Sequence, residues 1–180
     1  METVKKHVNM TAMMCTSMAI VGAIVLPQLF HIAGWTGPTF LPMHIPVLLA
    51  GLMLGPKVGL AVGFSSPIIS SAITGMPVAF PMLPIMILEL STYGVVAGIL
   101  SKHTKLPVIV SLVITQFIGR LSYALVYYSI LLFIAPEISS NIAPIAALMR
   151  GMPGIIIQIL SIPLIMAVVN KRKSEKEWKN

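Results

Sequence analysis

Gln116, Arg120, Tyr123 and Tyr127 stand at offsets of 0, 4, 7 and 11 in an otherwise largely apolar run. At about 100° per residue these positions fall within roughly 60° of one another on a helix, forming one polar stripe. Met82, Met86, Glu89 and Tyr93 repeat the same offsets upstream. A guanidinium, a carboxylate, an amide and phenols offer ion pairing and directional hydrogen bonds. Glu89 is expected about 9 Å below the start of its helix and Arg120 about 15 Å below the end of its own, at 1.5 Å per residue. Arginine's reach bridges that difference, so a Glu89–Arg120 pair is expected. Whether it is a structural clamp alone or also borders a binding site stays open at this level.

Three further polar residues join them. His44 lies in Leu41-Pro-Met-His-Ile-Pro46, Arg150 in Met149-Arg-Gly-Met-Pro-Gly154, and Gln158 two turns beyond Arg150. If Glu89 neutralises Arg120, then His44 and Arg150 are left to meet a ligand, and an unpaired cation in a low-dielectric pocket favours an anion. A structural histidine and an arginine snorkelling to headgroups are the plainer alternatives.

Bond-making chemistry has less support. The chain lacks a Gly-x-x-x-x-Gly-Lys-[Ser/Thr] loop and a His-Glu-x-x-His motif, and Ser65 in Gly63-Phe-Ser65-Ser66 lacks the nucleophile-elbow glycines. His44 has no carboxylate on its own helix. An embedded protease or lipid-modifying enzyme using His44 and Glu89 is one alternative reading, and a ligand-free membrane scaffold is another. Cys15 is the lone cysteine, so neither a disulfide framework nor a thiolate cluster is possible, and no metal or cofactor is expected. Aspartate is absent, which argues against a cation-coupled carrier with a carboxylate ion site.

The elements that must position these residues are membrane spans. Hydrophobic residues make up 57% of the chain and charged ones 9%, against roughly 25% charged in a soluble domain. Between residues 8 and 170 the charged residues are Lys57, Glu89, Lys102, Lys105, Arg120, Glu137 and Arg150. The net charge of +7 does not point to nucleic acid, because more than half of the Lys and Arg lie at the two ends and no aromatic-interleaved basic surface exists. With about 20 residues per crossing, 180 residues hold about six spans and short loops. The expected fold is a single all-α domain, a six-transmembrane-helix bundle over 1–180. Its helices are expected at about 9–27, 41–55, 57–74, 82–101, 107–134 and 145–170, with Pro153 kinking or restarting the last. The first apolar run lacks a small-x-small cleavage site and reads as a retained span rather than a signal peptide.

Lys57, Lys102, Lys105 and both basic termini fall on one side of such a bundle, while the connections at about 28–40, 75–81 and 135–144 carry no Lys or Arg. The positive-inside rule puts both termini in the cytoplasm. The outer connections are longer and shaped by Gly and Pro. The first holds His31 and Trp35, and the fifth holds Glu137, Ser139, Ser140 and Asn141. Together with the outer-half bias of His44, Glu89 and Arg150, they suggest a polar cavity open to the outside, with methionines around it serving ligand or lipid. Thr11, Cys15, Ala19 and Ala23 form a small-residue ridge on the first span, free to pack internally or against another subunit. Gly55, Gly59 and Gly63 form an internal one on the third.

The chain from about 10 to 170 resembles the substrate-binding (S) components of energy-coupling-factor vitamin transporters. The resemblance lies in the six short spans, the first-span ridge and the run from Leu41 to Gly51 followed by Gly55-Pro. Gly75-Met-Pro77, Glu89-Leu-Ser-Thr-Tyr-Gly94, Gly119-Arg120 and Pro153-Gly-Ile-Ile-Ile-Gln158 extend it. Among subgroups it is most similar to the pantothenate-type components. The resemblance implies a non-enzymatic binding subunit in a bacterial plasma membrane, capturing a small water-soluble vitamin or precursor. It implies partnership with a transmembrane coupling subunit and two ABC-type ATPases that use ATP, and a toppling motion that releases the ligand inward. It also implies that the first-span ridge meets the coupling subunit, where Ala12, Cys15, Thr16, Ala19 and Ala23 are candidates. Substrate contacts are then expected from Trp35, His44, Glu89, Tyr93, Gln116, Arg120, Tyr123, Tyr127, Arg150 and Gln158.

Overall fold

The structure is a computed structural model that describes residues 10–35, 37–134 and 143–177, with the side chains of 11, 12, 170 and 172–177 outside that description. Glu137, Ser139, Ser140 and Asn141 therefore lie outside the described residues. Among the described residues seven helices follow in order: α1 (Met10–Ile32), α2 (Gly37–Phe40), α3 (His44–Leu54), α4 (Pro56–Thr74), α5 (Met82–His103), α6 (Val108–Phe133) and α7 (Pro144–Glu177). Six stretches of the described residues are long and apolar enough to cross a membrane, one of them the composite Gly37–Leu54. The chain is a six-span helical membrane protein.

Several boundaries differ from the sequence reading. Helix α1 runs through Pro27 to Ile32 instead of stopping at Pro27. Proline removes one backbone donor, a loss that neighbouring helices and local adjustment absorb in membrane helices. For the same reason α7 continues through Pro153 and Pro163 without restarting. The second span, by contrast, is broken. Helix α2 ends at Phe40, Leu41 takes the left-handed conformation at φ 50°, and α3 begins only at His44. A leucine with positive φ is uncommon and costs of order 1–3 kcal/mol. Pro42 prevents Leu41 from continuing a helix by disfavouring the α region at the preceding residue.

Helix α5 is the central element, packing on α3, α4 and α6. Its contact with α4 is backbone to backbone. A Cβ on Gly59 would run into the Gly94 carbonyl, one on Gly63 into that of Leu90, and one on Gly94 into the Gly59 backbone. Small residues let helices approach this closely in lipid, where packing rather than water exclusion drives association. The glycine ridge of the third span thus serves internal packing. Ser101 Oγ donates to the Leu52 carbonyl at 2.6 Å, tying α5 to α3, and Thr92 Oγ1 donates to Ser122 Oγ at 3.1 Å, tying α5 to α6. Helix α7 closes the bundle against α6 and α2, and α1 lies against α3 and α4.

Candidate functional site

Three charged or ionisable side chains meet in the interior, each from a different helix. His44 is the eighth residue of the span beginning at Gly37, and Glu89 the eighth of that beginning at Met82. Glu89 therefore lies about 10 Å below the start of α5 at 1.5 Å per residue, and its 3.7 Å approach to His44 sets the two at one level. Arg120 reaches them from the middle of α6. Its Nη1 donates to Glu89 Oε1 at 3.0 Å, and His44 Nε2 lies 3.7 Å from the same oxygen. Relative exposures are 1% for His44, 2% for Glu89 and 14% for Arg120. The Glu89–Arg120 pair expected from depth is present.

His44, expected to be left over by this pairing, also approaches the same carboxylate. The break at Leu41 sets His44 in the first turn of α3, where it faces α5 and shares the carboxylate. At 3.7 Å the approach is too long for a hydrogen bond. Both ring nitrogens of His44 are buried without a hydrogen-bond partner among the described residues, as are Arg120 Nε and Nη2. An unsatisfied buried donor costs about 1–3 kcal/mol, and more when charged. Several together call for a physical explanation.

Glycines and a tyrosine shape the surroundings. The Tyr93 ring meets His44 edge-on at 5.1 Å and lies directly over Gly119, where a Cβ would stand 2.5 Å from the ring. Gly151 lies against Arg120, and its Cβ would stand 2.8 Å from Nη2. One level deeper, Gln116 Nε2 donates to Gln158 Oε1 at 2.5 Å, and Gln158 Nε2 donates to the Leu41 carbonyl at 3.3 Å. Gln116 Oε1 is buried and unpartnered among the described residues. This relay ties α6 and α7 to the break between α2 and α3.

The remaining candidates surround this centre or lie toward the ends of their helices, and Tyr123 is close enough to feel the charges of Glu89 and Arg120. Tyr123 and Tyr127 are buried in an apolar cluster with Ile85 and Ile130, and Tyr127 meets Tyr128 edge-on at 5.3 Å. Trp35 is 52% exposed and packs on Phe30 at 5.2 Å and Phe40 at 5.3 Å. Arg150 is exposed at the start of α7, one residue before the glycine that touches Arg120. On α1, Ala23 is fully buried against the core and Ala19 packs beside it, so this half of the ridge is used internally. Cys15 is only part-buried. Thr16 is likewise part-buried, and the side chain of Ala12 lies outside the described residues.

Sequence reasoning missed Gly151, the Leu41 carbonyl and the Gln116–Gln158 link. Gly151 adjoins Arg150 in the chain, but nothing in spacing says which arginine a glycine faces. The Gln116–Gln158 link had a signal: each is the single glutamine of its span, and a side-chain amide inside lipid must find a partner.

The family model described as "ECF transporter, substrate-specific component" matches residues 6–170. The chain belongs to this family. As an ECF substrate-specific component it is a transport subunit, and the polar cluster lies within the matched region. No curated protein and no solved structure matches the chain.

Proposed function

We propose that this ECF component binds a small water-soluble vitamin or vitamin precursor from the outer side of the membrane. It hands the ligand inward through a transmembrane coupling subunit driven by two ATPases. The observation carrying this reading is the meeting of His44, Glu89 and Arg120 at one level of the bundle, with buried polar atoms left unpartnered among the described residues. Charged groups inside a membrane are rare and mark substrate pathways by default. Tyr93, Gln116 and Gln158 complete the proposed ligand surroundings, and the Leu41 break is the side from which the ligand enters. A pantothenate-like acid is the leading candidate, supported by the likeness of motifs and by the arginine.

Docking to the coupling subunit is assigned to α1. Its inner face is taken by Ala19 and Ala23, while Met14, Met18, Val21 and Val25 remain exposed and Cys15 and Thr16 are part-buried. An enzymatic role gains little from the His44–Glu89 approach, because Arg120 holds the same carboxylate oxygen.

Equilibrium binding of radiolabelled B-group vitamins and precursors to the purified protein tests the proposal. Saturable binding of one of them, with a matching rise in melting temperature that follows RT ln(1 + [L]/Kd), is the expected result. Absence of binding across the set, or turnover of a compound into product, would remove it.

A further inference from the structure

We infer that an anionic phospholipid seats at the basic rim of the bundle, its headgroup at Lys57 and Lys102 and an acyl chain along α4. The inference is independent of which solute the subunit carries. Lys57 stands in the first turn of α4 and Lys102 in the last turn of α5, and both are exposed. Three contacts fix how the two helix ends meet. A Cβ on Gly98 would run into the backbone of Gly55 and Pro56, so the end of α5 lies directly on the turn between α3 and α4. Ser101 Oγ donates to the Leu52 carbonyl at 2.6 Å beside it. The Lys102 stem then crosses that turn, its Cδ, Cε and Nζ covering the place a Cβ on Gly55 would take. Lys102 thus carries its ammonium from α5 to the foot of α4, two residues from Lys57.

Charge and shape together name the occupant. Glu89 is the only acidic side chain among the described ones, and it is buried with Arg120 and His44. The two lysines, with exposed His103 and Lys105 just beyond, therefore have no carboxylate to meet among the described side chains. Positive charge gathered and uncompensated in this way attracts an anion. From Lys57, the residues Leu60, Phe64 and Ile68 follow at offsets of 3, 7 and 11, exposed at 45%, 53% and 37%. Such offsets keep to one side of a helix. An apolar stripe therefore runs from the lysines toward the middle of the bilayer. A free phosphate would use the ammonium groups alone, whereas a phospholipid uses them and the stripe together. Lysines at helix ends reach headgroup level, where an anionic lipid presents its phosphate.

The test is native mass spectrometry of the purified full chain in detergent, titrated with phosphatidylglycerol or with phosphatidylcholine. The first phosphatidylglycerol should bind about fivefold or more tightly than the first phosphatidylcholine, the ordinary worth of a lysine at an anionic surface. Lys57→Gln and Lys102→Gln should each lower that preference by about fivefold, and the double variant should abolish it. Lys171→Gln removes an equal charge from an exposed position on α7 and should leave the preference unchanged. Inorganic phosphate, added at matched ionic strength, should not displace the lipid. Should Lys102→Gln fail to fold, Lys57→Gln with an unchanged lipid-free melting temperature decides. Equal affinity for the two lipids overturns the inference, as does a preference that survives Lys57→Gln. A loss as large in Lys171→Gln as in Lys57→Gln marks only a diffuse basic field and overturns it too. Displacement by inorganic phosphate marks a free-anion site and does the same. None of these outcomes bears on solute binding, so the reading of the chain as a binding subunit stands or falls separately.

Discussion

Glu89 is one carboxylate answering two neighbours, and this arrangement fixes what mutation should do. Arg120 and His44 approach the same oxygen, so removing either neighbour leaves the carboxylate with the other. Breaking a buried pair by deleting one partner costs about 3–5 kcal/mol, because the survivor stays charged and dry. The two deletions should not be equal. Arg120 is 14% exposed and can shift toward the polar end of its helix, whereas Glu89 at 2% cannot. Arg120→Gln is therefore expected to destabilise more than Glu89→Gln, with the double variant less damaged than the sum of the two. Reversible unfolding in mixed micelles, run as a double-mutant cycle, measures this. Additive effects, or a larger loss from Glu89→Gln, would mean that the pair is not the compensated unit described here.

Among the elements, much was legible from residue pattern alone. Apolar runs bounded by Gly, Pro and Lys located the third to sixth spans closely, since a crossing of fixed thickness leaves little freedom in length. The offsets on α5 and α6 placed Glu89 and Arg120 on facing sides for the same geometric reason. The break in the second span was not legible. Pro42 and Pro46 fit the first turns of a helix as well as they fit a break upstream of one, and only the packing of α2 on α7 separates the two. The sharing of Glu89 by His44 was hidden by the same ambiguity. Glycines show the limit most clearly, because a sequence does not reveal whether a glycine serves backbone shape or close approach. Gly75 has φ 72° and nothing within 4 Å of the place a Cβ would take, whereas Gly94 has the backbone of Gly59 in that place. Gly75→Ala should cost about 1 kcal/mol, the strain of a left-handed alanine. Gly94→Leu must force α4 from α5 and should cost about 3 kcal/mol or more, or prevent folding. Thermal melts of the two variants in detergent check the contrast, and equal losses would contradict the backbone contact.

At the scale of the whole molecule, two statements depend on surroundings outside the chain: its orientation and its docking face. If the basic connections face the cytoplasm, single cysteines at Met76 and at His103, introduced into a Cys15→Ser background, should label from opposite sides of the membrane. An impermeant maleimide applied to intact cells should reach the first and not the second, and the reverse pattern would invert the topology. Docking turns on the two-faced character of α1. Ala19 and Ala23 pack inward on α3, while Met14, Met18 and Val21 are exposed at 62%, 73% and 57%. Lipid alone could cover that outer face, as it can the exposed Phe117 on α6, also at 73%. A bulky substitution separates the two coverings, because lipid chains adapt to a larger side chain and a close-packed helix interface does not. Met18→Trp is therefore expected to leave ligand binding by the isolated subunit intact, yet to reduce both co-purification with the coupling subunit and ligand uptake in cells. Phe117→Trp should leave all three unchanged. Equal behaviour of the two variants in uptake would mean that α1 faces lipid like the rest of the bundle and that coupling is made elsewhere.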